Sequence, residues 1–471
     1  MGLPILQTPS SISVKDVAEA LSSFEERLIV GLGVVTLIAW LYLLMTAAFL
    51  LFGVLYRRHL FIKPSMIVAL FFHVQVQWPS TLYWEKIAGN MTAPEVYFFL
   101  AHLFPLLLVI GSLQMGGETA KEIFAAITNS AREMTREELW VFAPLTLMSL
   151  GILVWYLSVV PWDQTGLYAV LFRPENSTLA REQSLKLLSN KTLKYAYSIF
   201  NSAIAPVLAC LIGIKALNHW QARRVGRAFL TILLLLPILI TVSITGARGP
   251  GVMILLAVIF AVLLVKGLPF RPGKIALILL LILTLPAVLD FLRRGGSLDP
   301  SGVTNSYKAI VERTIGYGMT EDAQWHLQYV TNHGLWGVAG IEKLAPWFGV
   351  RPVDILNVVG RYYRPEGGTI SANAATVFLY YACFGWIALP LCLVLTWLLD
   401  LALIIYRRMT TVMLTVVAAA CGIAAVNVVH TFYTTVLVTH GFLVILIICF
   451  LLDRVVMSLT VLTKKRTVLV A

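Results

Sequence analysis

Apolar runs of membrane-spanning length alternate with short charged loops along most of this chain, and one hydrophilic stretch, about 295–371, breaks the rhythm. The runs predict helices at 28–55, 65–82, 97–113, 139–160, 196–217, 229–244, 252–265, 275–292, 374–406, 411–429 and 434–452. The run at 374–406 is long and is interrupted by Gly385. Ahead of the first run, Val14, Val17, Leu21 and Phe24 recur at helical spacing behind Ser13, which suits an amphipathic helix in the membrane interface. No strand-like alternation of an outer-membrane barrel is present. The pattern therefore predicts an all-α, polytopic helix bundle of about eleven spans with one large outer loop. Its divisions are an interfacial segment at 1–27, eight spans over 28–292, the loop at 293–371, three spans over 372–455 and a basic tail at 456–471.

Composition agrees. The chain is 59% hydrophobic, with a mean hydropathy of +0.83, and its 471 residues have room for roughly a dozen spans of about 20 residues. The excess of 36 Lys+Arg over 24 Asp+Glu does not mark a nucleic-acid partner, because the bases sit mainly at the ends of spans. Cys210, Cys383, Cys392, Cys421 and Cys449 all lie in apolar stretches, so neither a disulfide framework nor a thiolate metal site is expected. No cleavable signal peptide is read at the N-terminus.

The basic clusters also orient the chain. Arg57-Arg58 with Lys63, Arg223-Arg224 with Arg227, Lys266 with Arg271 and Lys274, Arg407-Arg408 and Lys464–Arg466 occupy alternate loops. The positive-inside rule places them in the cytoplasm, and puts the N-terminus, the turn at 246–251 and the large loop outside. Arg248 and the arginines of that loop then stand on the face their sign disfavours, which points to function.

Three constellations carry candidate chemistry. In Thr245-Gly246-Ala247-Arg248-Gly249-Pro250-Gly251, a helix start and a guanidinium converge where glycines leave room for a phosphate. A snorkelling arginine on lipid headgroups is the plainer alternative. The large loop follows Arg293-Arg294 and carries Arg313, Tyr317, Glu321, His326, His333, Arg361, Tyr362 and Arg364, with Trp336, Trp347 and Phe348 as surfaces for sugar rings or for the interfacial belt. The alternative there is a solvated loop with ordinary ion pairs. A helix is expected over 305–330, with Gly334 as a stop beyond it. A neutral imidazole suits a general base near pH 7. Within the spans, His73, Gln75 and Gln77 are expected to bond to neighbouring helices, and Asp400 to pair with Arg407 or Arg408. No histidine or carboxylate spacing for a metal occurs, and no nucleotide-binding motif, so no metal or cofactor is expected.

The chain resembles the O-antigen polymerases, the oligosaccharide repeat-unit polymerases of bacterial inner membranes. The likeness rests on four pieces: the Gly246–Gly249 turn, the single long outer loop after paired arginines, the loop exit Gly367-Gly368-Thr369-Ile370-Ser371-Ala372-Asn373 with Tyr380–Trp386, and Phe61-Ile62-Lys63-Pro64-Ser65 before a polar second span. It implies a metal-independent glycosyltransferase of the type C kind, located in the inner membrane with its active face periplasmic. Its substrate would be undecaprenyl-pyrophosphate-linked oligosaccharide delivered from the lipid bilayer, with a repeat-unit flippase and a chain-length regulator as companions and no nucleic acid. O-antigen ligases, which transfer glycan to lipid A core, share the layout. An exporter is the other class, though the internal repeats usual for one are missing. On this reading Arg248, Arg313 and Arg361, then Arg293 and Arg294, would stabilise the pyrophosphate leaving group. His326, or otherwise His333 or Glu321, would take the acceptor proton. Tyr317, Tyr362, Arg364 and Asn373 would contact substrate.

Overall fold

The computed structural model describes residues 14–89, 91–129, 136–173, 180, 183–184, 187–188, 191–246, 248–268, 318–365 and 371–470. Among the described residues the only regular structure is helical. In chain order the helices are α1 (Val14–Tyr56), α2 (Pro64–Phe72), α3 (Trp78–Leu82), α4 (Trp84–Ala88), α5 (Pro94–Gln114), α6 (Gly117–Asn129), α7 (Arg136–Val159), α8 (Gly166–Phe172), α9 (Lys191–Ile199) and α10 (Ala205–Gln221). They continue with α11 (Val225–Leu233), α12 (Leu235–Ser243), α13 (Arg248–Val265), α14 (Gly318–His333), α15 (Ile355–Tyr363), α16 (Thr376–Phe384), α17 (Ala388–Tyr406), α18 (Thr411–His430) and α19 (Phe442–Val470). In lipid a helix satisfies its own backbone donors and acceptors, which is why apolar runs of this length fold this way.

Eight helical stretches among the described residues are long and apolar enough to cross a membrane. Two of the eleven expected spans take another form. The span at 65–82 is broken into α2, a π turn at His73–Gln77 and α3, and the span at 252–265 falls in the shorter apolar helix Gly249–Val265. The expected span at 275–292 lies outside the described residues. From Val14 on, the expected interfacial segment runs without a break into the first span, because α1 is one helix of 43 residues; 1–13 lie outside the described residues. At Gly385, with φ +61°, the chain turns between α16 and α17, so the long run at 374–406 is two helices.

The centre of the bundle is α18. Residues 412–429 are all buried, whereas the stretch Val34–Tyr56 keeps most of its side chains on the outside. A helix apolar on every face belongs inside. Small residues let the neighbours close in: a Cβ at Gly422 would sit 3.1 Å from the Phe260 ring, and one at Gly213 would sit 3.0 Å from Val258.

Polar side chains join the helices where hydrocarbon offers no other partner. His73 Nδ1 donates to Gln77 Oε1 at 2.7 Å, and Gln77 Nε2 reaches Thr46 Oγ1 on α1 and the His102 carbonyl on α5. Gln77 thus makes the interhelical bonds expected of the three, whereas His73 bonds within its own turn and Gln75 Oε1 is buried without a partner. Asp400 does not pair with Arg407 or Arg408. It accepts from the Ser65 backbone N–H at 2.9 Å and from Ser65 Oγ at 2.6 Å, and it faces Lys63 Nζ at 3.5 Å. Lys63 in turn donates to the carbonyls of Ser112 and Met115 at the end of α5. Asp400 lies more than a turn short of Arg407 on a buried helix face, so partners that rise to meet it from α2 outcompete solvated arginines.

Removing one member of this pair strands the other. Asp400→Leu leaves the buried Lys63 charge without its counter-ion and takes the carboxylate from both Ser65 donors, and should cost about 3–5 kcal/mol. Thermal unfolding in detergent should show a clear loss for Asp400→Leu or Lys63→Met alone, and a smaller loss for the two together. A double variant as unstable as the sum of the singles would show that the two charges act independently.

Candidate functional site

The polar stretch late in the chain is organised by α14. Glu321, Trp325, Tyr329 and His333 recur every fourth residue and form one stripe along it. Gly334, at φ +86°, stops the helix just after His333. The stripe meets α15. Trp325 stacks on Tyr363 with centroids 5.7 Å apart, and Tyr329 stacks on His333 at 4.2 Å and on Trp336 at 5.2 Å. Tyr362 stands edge-on to both Tyr329 and His333. Arg364 lies over the Trp325 ring at 4.5 Å and donates to Glu321 Oε2 at 3.1 Å, so its planar fork is held by a carboxylate and an indole together. An ion pair this exposed adds little stability; its effect is to orient the guanidinium. Partial burial and the neighbouring tyrosines Tyr362 and Tyr329 raise the pKa of Tyr363, which stays protonated.

The flank of α14 beside this stripe is buried. His326 is 0% exposed, and its Nε2 lies 2.9 Å from the Ala372 carbonyl. A carbonyl only accepts, so Nε2 carries the proton and Nδ1 carries the lone pair. Nδ1 has no hydrogen-bond partner. Burial holds the imidazole down at about 4, so it is neutral at pH 7. Thr320 Oγ1 and Gln324 Nε2, also on the buried side of α14, are unpartnered too. Ala372 is held a second time by its own N–H, which donates to the Leu356 carbonyl of α15. The segment that leads into α16 is thus clipped between α14 and α15.

The structure gathers Glu321, His333, Tyr362 and Arg364 into one aromatic ladder, with His326 on the adjoining flank of the same helix. Arg361 sits exposed in the last turn of α15. Asn373 is turned to its own loop, where its Oδ1 accepts from Ser371 Oγ at 3.1 Å. Arg293, Arg294, Arg313 and Tyr317 lie outside the described residues, as does 366–370 of the loop exit, and Arg248 is described as backbone only. Trp325 and Tyr363 were not among the expected site residues, although the four-residue spacing from Glu321 to His333 marks Trp325. Trp347 and Phe348 are exposed and stand apart from the ladder's stacked pairs, as the interfacial belt would have them.

The turn at Gly246 has a different logic from the one expected. Gly246 has φ +75°, and the space a Cβ would take is filled by the Gly166 carbonyl at 2.8 Å. A Cβ at Gly166 would stand 2.0 Å from the Thr245 carbonyl oxygen, and the Leu167 N–H donates to the Ile244 carbonyl. Two backbone segments meet here, so Gly246 admits chain and not ligand. Gly251 packs on Ser243, and Gly249 alone of the three has open space beside it.

Among the described residues no group of three or more His, Cys, Asp or Glu side chains could hold a metal ion. Comparison with family models, with curated proteins and with solved structures gives no match. The fold and its long apolar helices define a multi-pass helical membrane protein.

Two outcomes are expected. Gly166→Ala must push the Gly246 turn away and should cost about 1–3 kcal/mol; an unchanged melting temperature would mean that the two segments are not packed this closely. His326 has a folded pKa below its ordinary 6.5, so neutrality favours the fold. Its contribution, up to about 3 kcal/mol, is complete above pH 6.5 and is lost as the pH falls from there toward 4. His326→Gln keeps a donor for Ala372 and cannot titrate. Its melting temperature should fall less than that of the unaltered chain between pH 7.5 and 4.5, and equal falls would remove His326 as the cause.

Proposed function

We infer that this chain joins polyprenyl-pyrophosphate-linked oligosaccharide repeat units into a surface polysaccharide at the outer face of the inner membrane. The observation that carries this reading is the ladder of α14 and α15. Tyr362, exposed and held edge-on by the stacked rings beneath it, suits the C–H face of a sugar ring, and the fork of Arg364, set by Trp325 and Glu321, suits a hydroxyl pair or a carboxylate. A ladder on a membrane bundle fits a glycan that arrives on a lipid.

As the glycosidic bond breaks, its electron pair passes to the pyrophosphate, and Arg248, Arg313 and Arg361 are assigned to that growing charge. The acceptor hydroxyl attacks the anomeric carbon from the opposite side and gives up its proton. Because His326 is sealed from solvent, the proton acceptor in this reading is His333, which stands exposed at the end of the ladder. His326 acts as a positioning residue that clips the segment entering α16.

The test supplies purified protein with the native lipid-linked repeat unit as the only glycan. A ladder of lengthened lipid-linked products is expected, because one molecule can serve as donor and acceptor. Arg248→Lys should lose about 2–4 kcal/mol of transition-state stabilisation, since lysine keeps the charge without the fork. Trp325→Ala should raise KM more than it lowers kcat, and His333→Gln should lower kcat. Transfer to lipid A core with no ladder would make the chain a ligase. No product with either acceptor would remove the transferase reading.

A further inference from the structure

A groove of about 300 Å³ opens on the flank of the bundle, at the end where α5 gives way to α6. Its walls are largely apolar, with Ile62, Ile123, Val394, Leu398, Leu401 and Ile404 among them. The α17 wall runs from Val394 to Ile404, about 15 Å of helix rise. Leu398 and Leu401 also face outward, so the groove is open to the membrane interior.

Its charged neighbours gather at the end where α5 meets α6. Trp397 lines the groove, and its ring is fixed against Gly111, where a Cβ would come within 2.5 Å of the indole. Its Nε1–H is buried without a hydrogen-bond partner. The indole nitrogen lies on the Gly111 side, so Trp397 gives the groove an apolar wall. Gly111 precedes Met115 by one turn of α5, about 6 Å of rise. At the level of Met115 the groove is rimmed by Met115, Gly116 and Thr119, where the first-turn N–H groups of α6 lack intrahelical acceptors. Cations crowd the same corner. His59 is pulled below its ordinary pKa first by burial and then by the charges of Arg57 and Lys121, with Glu118 opposing them. Glu118 stands off toward solvent, 4.0 Å from Lys121. The pair that also lines the groove, Lys63 and Asp400, is already mutually neutralised.

We propose that this groove binds one phospholipid with an anionic headgroup. An acyl chain lies along α17, and the phosphate rests at the first turn of α6 beside Lys121 and beside Arg57, whose Nη1 donates to the Leu113 carbonyl at the end of α5. A soluble anion would leave the long apolar wall unused, and a choline headgroup would set a further cation beside Arg57 and Lys121. The assignment stands whatever reaction the opposite end of the bundle performs.

The full-length chain, purified in detergent, is titrated with dioleoyl phosphatidylglycerol or dioleoyl phosphatidylcholine and read by native mass spectrometry. One phosphatidylglycerol is expected to remain bound under activation that strips other lipid, and phosphatidylcholine is not. Leu398→Trp, placed on the lipid-facing rim, fills the groove and should abolish retention with little change in melting temperature. Arg57→Glu with Lys121→Glu should erase the preference between the two lipids. Equal retention of both lipids by the unaltered chain overturns the proposal, as does phosphatidylglycerol retention unchanged in Leu398→Trp and in the double charge variant.

Discussion

A single carboxylate inside an apolar bundle constrains the arrangement of three helices. Asp400 is charged, nearly sealed, and surrounded by hydrocarbon, so it needs donors at hydrogen-bond distance. They come from the start of α2 and from Lys63 just before it, and Lys63 also ties down the last carbonyls of α5. The carboxylate thus meets a helix N-terminus and the ammonium meets a helix C-terminus, each where the backbone dipole favours it. Height and rotation of α2 and α5 follow from where Asp400 stands on α17. Farther along the same two helices, the π turn His73–Gln77 aims Gln77 at both α1 and α5, which extends the tie toward the other end of the bundle.

The upper layer rests on that scaffold. α14 packs on α5, on the π turn and on α16, and its two sides have separate duties. The buried side holds His326 against the Ala372 carbonyl, which fixes how the chain enters α16. The outer side presents a row of aromatic and ionic groups whose mutual stacking sets ring orientation before any ligand arrives. Such preorganisation is what the proposed handling of a lipid-linked glycan requires. A cationic corner and an apolar groove at the other end of the bundle address the membrane instead, so the two ends meet different chemistry.

Close backbone approach is a second theme. Gly166 and Gly246 let two loops touch, and Gly441 lets the chain cross the π turn at Phe200–Ile204, where a Cβ would come within 2.6 Å of Ser202 Oγ. At Gly246 the same composition that suggests a phosphate cradle is used for chain packing. A glycine states that something comes near, and only the fold says whether it is ligand or backbone.

Hydropathy by itself determined that the chain is a helical bundle of the membrane, because a lipid solvent leaves the backbone few alternatives and spans are read one at a time. The single-file stretch of Ala, Val and Gly in α18 marks the central helix for the same local reason. The ladder was half legible: the four-residue spacing of Glu321, Trp325, Tyr329 and His333 lies within one helix, whereas Tyr362, Tyr363 and Arg364 join it from another. What only the tertiary structure decided are the long-range pairings. Lys63 is 337 residues from Asp400 in sequence, nearer arginines were the obvious partners, and burial of one helix face chose between them. Likewise His326 and His333 are two turns apart on the same helix, yet one is sealed and one exposed, because a loop anchored on Ala372 covers the first and the helix end leaves the second in solvent.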